Sequence, residues 1–318
     1  MRTYIIKRVG YSLLTLLVLV SFTFFLMRLM PGDPFIGQKA IPESVHKALI
    51  EKYDLDKPTI VQYGRYLLNV LQGDLGDSLY YKGRPVTGVI AQTFPVSAEL
   101  GIRSLIVAVV FGIALGVLAA VKRGKATDTV VMFIAVFGVS VPGFIVGGLL
   151  NYFLGYRFSA LMKDWFHLSY NIIPVAGWKT EAHRIMPVIA LSLGSLAQIS
   201  RLMRANMIDV MNSDYIKTAK AKGLSSQAII FKHGIRNGIL PIITVLGPMA
   251  AALLTGTFVI EQIFSVPGMG KYFVTSVQTL DYTVISGMTM FYGAFLIILN
   301  MVVDVAYGLI DPRIRLEK

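Results

Sequence analysis

No cysteine occurs in the 318 residues of this chain. Disulfide frameworks, zinc–thiolate sites and thiol chemistry are therefore excluded. Charged residues are also scarce, at 15% of the sequence, whereas a soluble domain carries roughly 25%. The four histidines lie far apart and show no metal-ligand spacing. Because 55% of the residues are hydrophobic and many stand in long runs, the composition indicates a membrane protein.

Catalytic signatures are missing as well. The sequence contains no Gly-x-x-x-x-Gly-Lys-Ser/Thr, His-Glu-x-x-His or Gly-x-Ser-x-Gly pattern. Ionisable residues are rare within the apolar runs, where ion-coupled carriers usually place acidic groups. Glu99 and Arg103 are spaced to pair at a helix start, and Glu261 and Asp304 fall near the ends of apolar runs, close to water. The chain is therefore predicted to be non-catalytic, and uphill transport would draw its energy from elsewhere.

Six apolar segments are long enough to cross a hydrocarbon core of about 30 Å, which predicts an all-α polytopic membrane protein. The predicted spans cover residues 9–30, 98–121, 129–154, 185–203, 239–263 and 284–310. The first is interpreted as an uncleaved helix, because Pro31-Gly32-Asp33-Pro34 follows it in place of a small-residue cleavage site. Arg28, near its end, can extend its side chain to the interface.

The distribution of charge sets the predicted orientation. With the N-terminus inside, the inside segments carry a net charge of +11 and the outside segments carry +2. The inside segments are 1–8, 122–128, 200–238 and 311–318, and the outside segments are 31–97, 155–184 and 264–283. Basic residues thus concentrate inside, so both termini are predicted to be cytoplasmic. Most of the formal net charge of +12 is explained without a nucleic acid, and anionic membrane lipid would reinforce this orientation.

The polar residues 31–97, between the first two spans, predict a small extracytoplasmic lobe. Residues 45–53 and 63–70 each place apolar side chains on one helical face. Gly73-Asp74-Leu75-Gly76-Asp77-Ser78 is rich in turn residues. Its glycine–aspartate pairs are interpreted as turns, because their spacing differs from that of an EF-hand calcium loop.

The stretch 212–241 is basic, lies between two apolar segments and carries the signals of two short helices. Polar side chains at 212–214 offer N-cap oxygens for a helix over 215–222, and Gly223 can take the left-handed conformation that ends it. Ser225 or the serine after it can cap the second helix. The residues alone leave two interpretations open, a surface held by another protein and a solvated basic loop.

Short motifs along the whole chain resemble those of one family. They are Arg2-Thr3-Tyr4-Ile5-Ile6-Lys7-Arg8, Pro31-Gly32-Asp33-Pro34, Asp54-Leu55-Asp56-Lys57-Pro58, Gln62-Tyr63, Gly73-Asp74-Leu75-Gly76-Asp77-Ser78, Arg84-Pro85-Val86, Glu261, Phe264-Ser265-Val266-Pro267-Gly268-Met269-Gly270, Asp281-Tyr282 and Asp311-Pro312-Arg313. Each is weak alone, but their order is specific. Over essentially its whole length the chain resembles the B-type permease subunit of peptide-class ABC importers, the oligopeptide and dipeptide permeases.

This resemblance implies a six-helix permease with the type I ABC importer fold. The implied partners are a homologous C-type permease, two cytoplasmic ATPase subunits that bind ATP and magnesium, and an extracytoplasmic solute-binding protein. No cofactor or metal is expected in this chain. The implied location is the cytoplasmic membrane of a bacterium or archaeon. The predicted domains are the N-terminal end with the first helix, the lobe, a five-helix core with the loop 212–241, and a cytoplasmic tail, at residues 1–30, 31–97, 98–310 and 311–318.

The stretch 212–241 resembles the family's coupling loop, whose general motif is Glu-Ala-Ala-x-x-x-Gly. The motif falls on Lys217-Thr218-Ala219 and Gly223, and because Lys217 replaces the glutamate, a role specific to that acid does not carry over. The resemblance implies that a short helix here sits in a cleft of an ATPase subunit and passes its motion to the spans. The residues assigned to coupling are Asp214, Tyr215, Lys217, Thr218, Ala219, Lys220, Gly223, Leu224 and Ser225.

A second set of residues is assigned to an outer gate or a turn. The set consists of Phe264, Pro267, Gly268 and Gly270. A structural turn is favoured, because proline and glycine redirect the backbone.

Other conspicuous side chains are interpreted as membrane-boundary features. Arg201 and Arg204 are read as charges at the inner boundary and not as guides for a substrate carboxylate. Trp165, Trp178 and Tyr170 are typical of an aromatic interface belt.

The predicted function is a permease subunit of an ATP-driven importer that carries oligopeptides or dipeptides by alternating access. Nickel, glutathione or another small solute is an alternative substrate within the same class. A self-sufficient channel or ion-coupled carrier is the alternative from a different class, and the uncharged span centres argue against it.

Overall fold

Helices form every regular element in the described part of the chain. The computed structural model describes residues 2–32, 35, 42–167, 172–254 and 258–310, with the side chains of 7–302 within those ranges. Four sequence predictions fall outside the described residues. They concern Asp33–Pro34, Tyr170, the Asp304 side chain and the tail 311–318. The all-α class is confirmed.

The helices are numbered here in chain order. They are α1 (Arg2–Leu29), α2 (Glu43–Lys52), α3 (Thr59–Leu71), α4 (Val86–Val121), α5 (Ala126–Ser140), α6 (Gly143–Phe166), α7 (Glu181–Met211), α8 (Asp214–Ala221), α9 (Ser226–Gly238), α10 (Leu240–Leu254), α11 (Phe258–Ile263), α12 (Met269–Gln278) and α13 (Tyr282–Ile310). Within α6 and α9, Asn151–Phe158 and Ile229–Ile235 are π-helical.

The described helices supply up to six membrane spans. By length and hydropathy, α1, α4, α7 and α13 can each cross a membrane. Two bent pairs, α5 with α6 and α9 with α10, raise the number to six if each pair forms one span. The number agrees with the sequence prediction, although the bounds differ.

The predicted span 129–154 is not one straight helix. α5 and α6 meet at 107°. Val141 between them is extended, with φ −94° and ψ 122°, and Pro142 follows it. A proline disfavours the helical region for the residue before it and has no N–H to donate, so the helix breaks at this point.

α4 begins at Val86, well before the predicted span 98–121. Pro95 lies inside this helix. It has no N–H, so one helical hydrogen bond is missing there, but the helix continues. Glu99 therefore lies in mid-helix, which corrects its expected place at a helix start. The predicted pair itself forms, with 2.8 Å between Glu99 Oε1 and Arg103 Nη2.

Within the predicted span 239–263, residues 255–257 lie outside the described residues. α10 ends at Leu254 and α11 begins at Phe258. In addition, α9 leads into α10 with a bend of 50°. Residues 226–238, assigned from the sequence to a loop, thus join α10 in a candidate broken span.

The chain divides into two compact units, each made of two segments. The first comprises residues 1–96 and 268–305, and the second comprises 97–267 and 306–318. The predicted domain boundaries remain a prediction.

The second unit is built around α7. Ile199, Met203 and Met207 of α7 are fully buried, together with Ile242 of α10. Gly116 of α4 permits close approach, because a Cβ at this position would lie 2.6 Å from the Ser200 carbonyl oxygen of α7. The helix that leads into 212–241 is therefore firmly packed.

In the first unit, Asp281 ties the loop before α4 to the start of α13. Its buried carboxylate accepts hydrogen bonds from the Ser78 hydroxyl and from the N–H groups of Leu79 and Tyr80, the latter two at 3.1 Å each. It also accepts from the Val284 N–H at 3.2 Å, which caps α13. One side chain thus joins two loops that are 202 positions apart along the chain.

Candidate coupling surface

The stretch 212–241 forms a short helix, a turn and a second helix, as predicted. α8 covers Asp214–Ala221, and Ser213 stands at its N-cap position with extended backbone angles. The Ser213 hydroxyl donates to the Val210 carbonyl at 2.6 Å, so its side chain does not cap α8. Asp214 lies in the first turn, where a negative charge is favourable next to the helix dipole.

Gly223 ends α8 in the left-handed conformation, with φ +76°. Its N–H donates to the Lys220 carbonyl at 2.9 Å, and the Leu224 N–H donates to the Ala219 carbonyl at 3.3 Å. The Ser225 hydroxyl then accepts from the Ala228 N–H at 3.2 Å and caps α9. The left-handed turn at Gly223 and the Ser225 cap of α9 are therefore both as predicted.

One face of α8 is buried within the second unit. Ile216 and Ala219, three positions apart and so on one helical face, pack with Ile229 of α9. The partly buried Leu224 packs against this cluster from the turn. The small side chain of Ala219 thus permits close packing inside the unit, and the outward face of α8 is formed by other residues.

The opposite face of α8 is exposed and basic. It presents Lys217 and Lys220, and the exposed Lys222 follows. Lys217 Nζ lies 2.8 Å from Asp214 Oδ1, and these side chains are 71% and 94% exposed. Exposed ion pairs contribute little to stability, so this pair can give way to a charge on another protein. The Thr218 hydroxyl donates to the backbone of its own helix at 3.1 Å.

Two exposed aromatic side chains occur in this stretch, Tyr215 on α8 and Phe231 on α9. Tyr215 is 46% exposed and Phe231 is 69% exposed. Asn237 Nδ2 of α9 donates to the Tyr215 hydroxyl at 3.3 Å, which connects the two helices. Sequence reasoning missed Phe231, although its place in a basic stretch made it visible. The name α8 surface is used below for Tyr215, Lys217, Lys220 and Lys222.

An ion pair supports the helix that precedes this surface. The Asp128 carboxylate, 5% exposed, accepts from Arg204 Nε at 2.6 Å and Nη2 at 2.7 Å. It also accepts from the Gly124 N–H at 3.0 Å. The pair fastens the α4–α5 turn to α7. Sequence reasoning read Arg204 as a boundary charge and missed its partner, whereas the neighbouring Arg201 is exposed as expected.

The residues assigned to an outer gate or a turn follow α11. Phe264 is buried, and Ser265 after it has φ +49°. Pro267 precedes Gly268, which is the N-cap residue of α12, and Gly270 lies buried in the first turn of that helix. The geometry is that of a turn, and the gating role stays a prediction.

Glu261 is fully buried, which corrects the expectation that it lies close to water. It belongs to α11, and its carbonyl accepts from the Val266 N–H at 2.8 Å. The Phe264 carbonyl accepts from the Gly177 N–H at the same distance. The chain around Glu261 is thus folded into the second unit.

Trp178 takes part in an ionic cluster, and its place in an aromatic belt stays a prediction. Its indole N–H donates to Glu99 Oε2 at 3.1 Å. Arg103, the helical partner of Glu99, also donates to Glu181 Oε2 at 2.7 Å. Trp165 is 77% exposed, and its assignment to the belt likewise stays a prediction.

These features define a class of protein. The chain is a polytopic helical membrane protein with an exposed basic helix set on a packed support. Within the described residues, no group of His, Asp and Glu side chains is arranged to hold a metal ion.

Sequence comparison identifies the family. Residues 112–316 match the family described as "Binding-protein-dependent transport system inner membrane component". Residues 1–101 match "Binding-prot-dependent transport system membrane comp, N-term". The chain belongs to this family of ABC importer permease subunits, which confirms the resemblance found in its motifs.

Curated relatives match over their full length. The dipeptide transport system permease protein DppB of Bacillus subtilis (strain 168) is 44% identical over 100% of this chain and 99% of its own. The oligopeptide transport system permease protein OppB of Haemophilus influenzae is 40% identical over 99% and 100%. The OppB protein of Escherichia coli (strain K12) is 38% identical over the same shares.

Solved structures show the same fold. A chain of the inward-facing MetNI methionine ABC transporter aligns with a TM-score of 0.50 and 14% identity, covering 68% of this chain and 95% of its own. A chain of an amino acid ABC transporter crystallised with histidines aligns with a TM-score of 0.51 and 13% identity, covering 70% and 95%. The predicted ABC importer permease fold is confirmed.

Proposed function

We propose that this chain forms half of the translocation pathway of an ATP-driven importer for oligopeptides or dipeptides. Relatives named for these substrates match it from end to end, at 38–44% identity. A homologous C-type permease forms the other half, and an extracytoplasmic solute-binding protein delivers the peptide. Two cytoplasmic ATPase subunits bind ATP and magnesium, so this chain carries no catalytic residue.

The α8 surface carries the coupling in this proposal. Ile216, Ala219 and Ile229 fix α8 to the second unit, so a force on its exposed face moves the support with it. Lys217, Lys220 and Lys222 suit an acidic rim on the ATPase subunit, and the exposed ring of Tyr215 suits an apolar cleft. This combination of a rigid inner face and an exposed basic outer face is the observation that favours coupling over a solvated loop.

A crosslink at the α8 surface tests the proposal. The chain has no cysteine, so Lys220→Cys provides a unique thiol. In native membranes that contain the partner subunits, we expect this thiol to capture an ATPase subunit, with a yield that changes on ATP binding. Lys82→Cys is the matched control, because Lys82 is exposed and lies in the predicted extracytoplasmic lobe.

Two outcomes would contradict the coupling role. One is free labelling of Lys220→Cys by a water-soluble thiol reagent with no ATPase captured. The other is uptake that persists after ATP depletion in membranes without ATPase subunits, which would favour a self-sufficient carrier.

The substrate is tested separately from the coupling. With the cognate binding protein present, we expect labelled di- and oligopeptides to accumulate in vesicles only with ATP. Accumulation of nickel or glutathione in their place would keep the importer class and overturn the peptide assignment.

A further inference from the structure

Three cavities in the first unit share one wall at the C-terminal end of α1. Their volumes are about 80, 240 and 220 Å³, and Arg28 lines all of them. Tyr66 of α3 lines the first and second, and Gln62 of α3 lines the second and third. These cavities take no part in the α8 surface.

Two aromatic rings contact the Arg28 guanidinium group. The centre of its guanidinium group lies 5.1 Å from the Phe24 ring centroid and 5.5 Å from the Tyr282 ring centroid. Its Nε is buried and finds no hydrogen-bond acceptor among the described residues. Ring stacking orients the guanidinium plane but leaves this N–H donor unsatisfied.

A second unsatisfied donor faces the same cavities. The Tyr66 hydroxyl is buried and has no hydrogen-bond partner within the described part of the chain. Burial raises the pKa of Tyr66 to about 12, so the hydroxyl keeps its proton and can donate. Two donors, one of them cationic, therefore line the first and second cavities without an acceptor among the described residues. Gln62 Oε1, which is buried and also unpaired within the described residues, is an acceptor in the wall of the second and third cavities.

Among the described residues, no carboxylate forms a salt bridge with Arg28. Asp54, Asp74 and Asp77 line only the second cavity, and among the described lining residues Arg28 is the sole charged group of the first and third. Asp54 is engaged by Lys57 and Arg65. Asp74 Oδ1 accepts from the Gly76 N–H at 2.8 Å.

The geometry points to a phosphate-binding site at Arg28 and Tyr66. A phosphate oxygen can accept from both donors at once, and arginine is the side chain best suited to this anion. The third cavity adds an apolar wall of Met30, Phe35, Ile50 and Leu55, which suits the glycerol and first acyl carbons of a phospholipid. The phosphate can come from such a head group, because α1 is a membrane span and Arg28 is next to its last residue, or from free phosphate.

Native mass spectrometry on the full chain, purified with its partner subunits, tests the site. After delipidation, the protein is incubated with phosphatidylglycerol, and in a separate arm with inorganic phosphate, which is also followed by thermal shift. In whichever arm the wild type binds, we expect Arg28→Gln to weaken binding by roughly tenfold or more and Tyr66→Phe to weaken it to a smaller extent. Lys271→Gln, at an exposed lysine of the same unit outside the three cavities, should bind like the wild type.

The two arms of the experiment distinguish a lipid head group from free phosphate as the ligand, and they define the result that would contradict the site. Arg28-dependent binding of the lipid alone identifies a head-group site, and Arg28-dependent stabilisation by inorganic phosphate identifies a site for the free anion. Equal binding by the wild type and Arg28→Gln in both arms would overturn the site. If Arg28→Gln does not fold, the same comparison is made with Arg28→Lys and Tyr66→Phe, and unchanged binding by both would overturn it.

Discussion

At the scale of single residues, buried carboxylates organise the chain. Asp128 and Asp281 each accept hydrogen bonds from several donors and join segments far apart in the sequence. Neither was assigned a role from the sequence, because a short turn next to a span explains an aspartate equally well. Partners 76 and 202 positions away become visible only when the chain is folded.

The ion pair between Asp128 and Arg204 should contribute measurably to stability. Asp128→Ala leaves a partly buried guanidinium without its bidentate partner, so we expect a loss of roughly 2–4 kcal/mol. Thermal unfolding of the purified protein in one fixed detergent measures the change.

An exposed pair gives the matched control for this prediction. Lys217→Ala removes a pair whose side chains are 71% and 94% exposed, and it should change stability by less than about 0.5 kcal/mol. If the two substitutions lowered stability equally, the account of a buried, bidentate pair between Asp128 and Arg204 would be contradicted.

Asp54 should make the lobe sensitive to acid. Hydrogen bonds from Lys57 and Arg65 lower the pKa of Asp54 below its ordinary value. The carboxylate therefore stabilises the fold above its unfolded-state pKa of about 3.9, and the contribution disappears as the pH falls through the lower folded-state pKa. The difference in melting temperature between the wild type and Asp54→Asn should be greatest near neutral pH and vanish in acid. A constant difference down to pH ~2 would contradict this account.

At the scale of elements, the caps and breaks of helices follow local chemistry. Gly223 and Ser225 behave as the sequence predicts, because a left-handed corner and a serine cap need no distant partner. Pro142 and Pro95 show the limit of such reasoning. One breaks its helix with a 107° bend and the other lies inside α4, and packing rather than the residue type decides between these outcomes.

The corner at Gly223 is open to a direct test. No atom lies within 4 Å of a Cβ built at Gly223, so Gly223→Ala causes no steric clash with its surroundings. The substitution is unfavourable only because alanine adopts a positive φ less readily than glycine does. We expect a loss of about 1 kcal/mol, and Gly223→Asn should lose less because asparagine tolerates this conformation. The readouts are thermal stability and the number of ATP molecules hydrolysed per peptide imported. Equal stability of the glycine, alanine and asparagine forms would contradict the left-handed corner.

At the scale of the whole molecule, the number of spans and the family follow from the sequence, and the site follows in part. The basic face of α8 was predicted from Lys217 and Lys220, but the burial of Ala219 against Ile229 was not, because it depends on how α9 packs. The π-helical turn in α9 and its continuation towards α10 also had no signal in the residues.

The predicted orientation can be measured with single thiols in intact cells. Lys125→Cys, in the α4–α5 turn, should be protected from a membrane-impermeant reagent until the membrane is opened. Lys82→Cys should react at once, because residues 31–97 are predicted to face outward. Both lysines are exposed in the folded chain, so a difference in labelling reports sidedness. The reverse labelling pattern would show that the predicted orientation is wrong.

The length of α4 affects how the protein accommodates bilayers of different thickness. Its 36 residues extend about 54 Å at 1.5 Å per residue, against a hydrocarbon thickness of about 30 Å. A bilayer that becomes several Å thicker or thinner with growth temperature still meets helical backbone, whose N–H and C=O groups pair within the helix apart from the bond lost at Pro95. No loop next to this helix has to enter hydrocarbon when the acyl chains change.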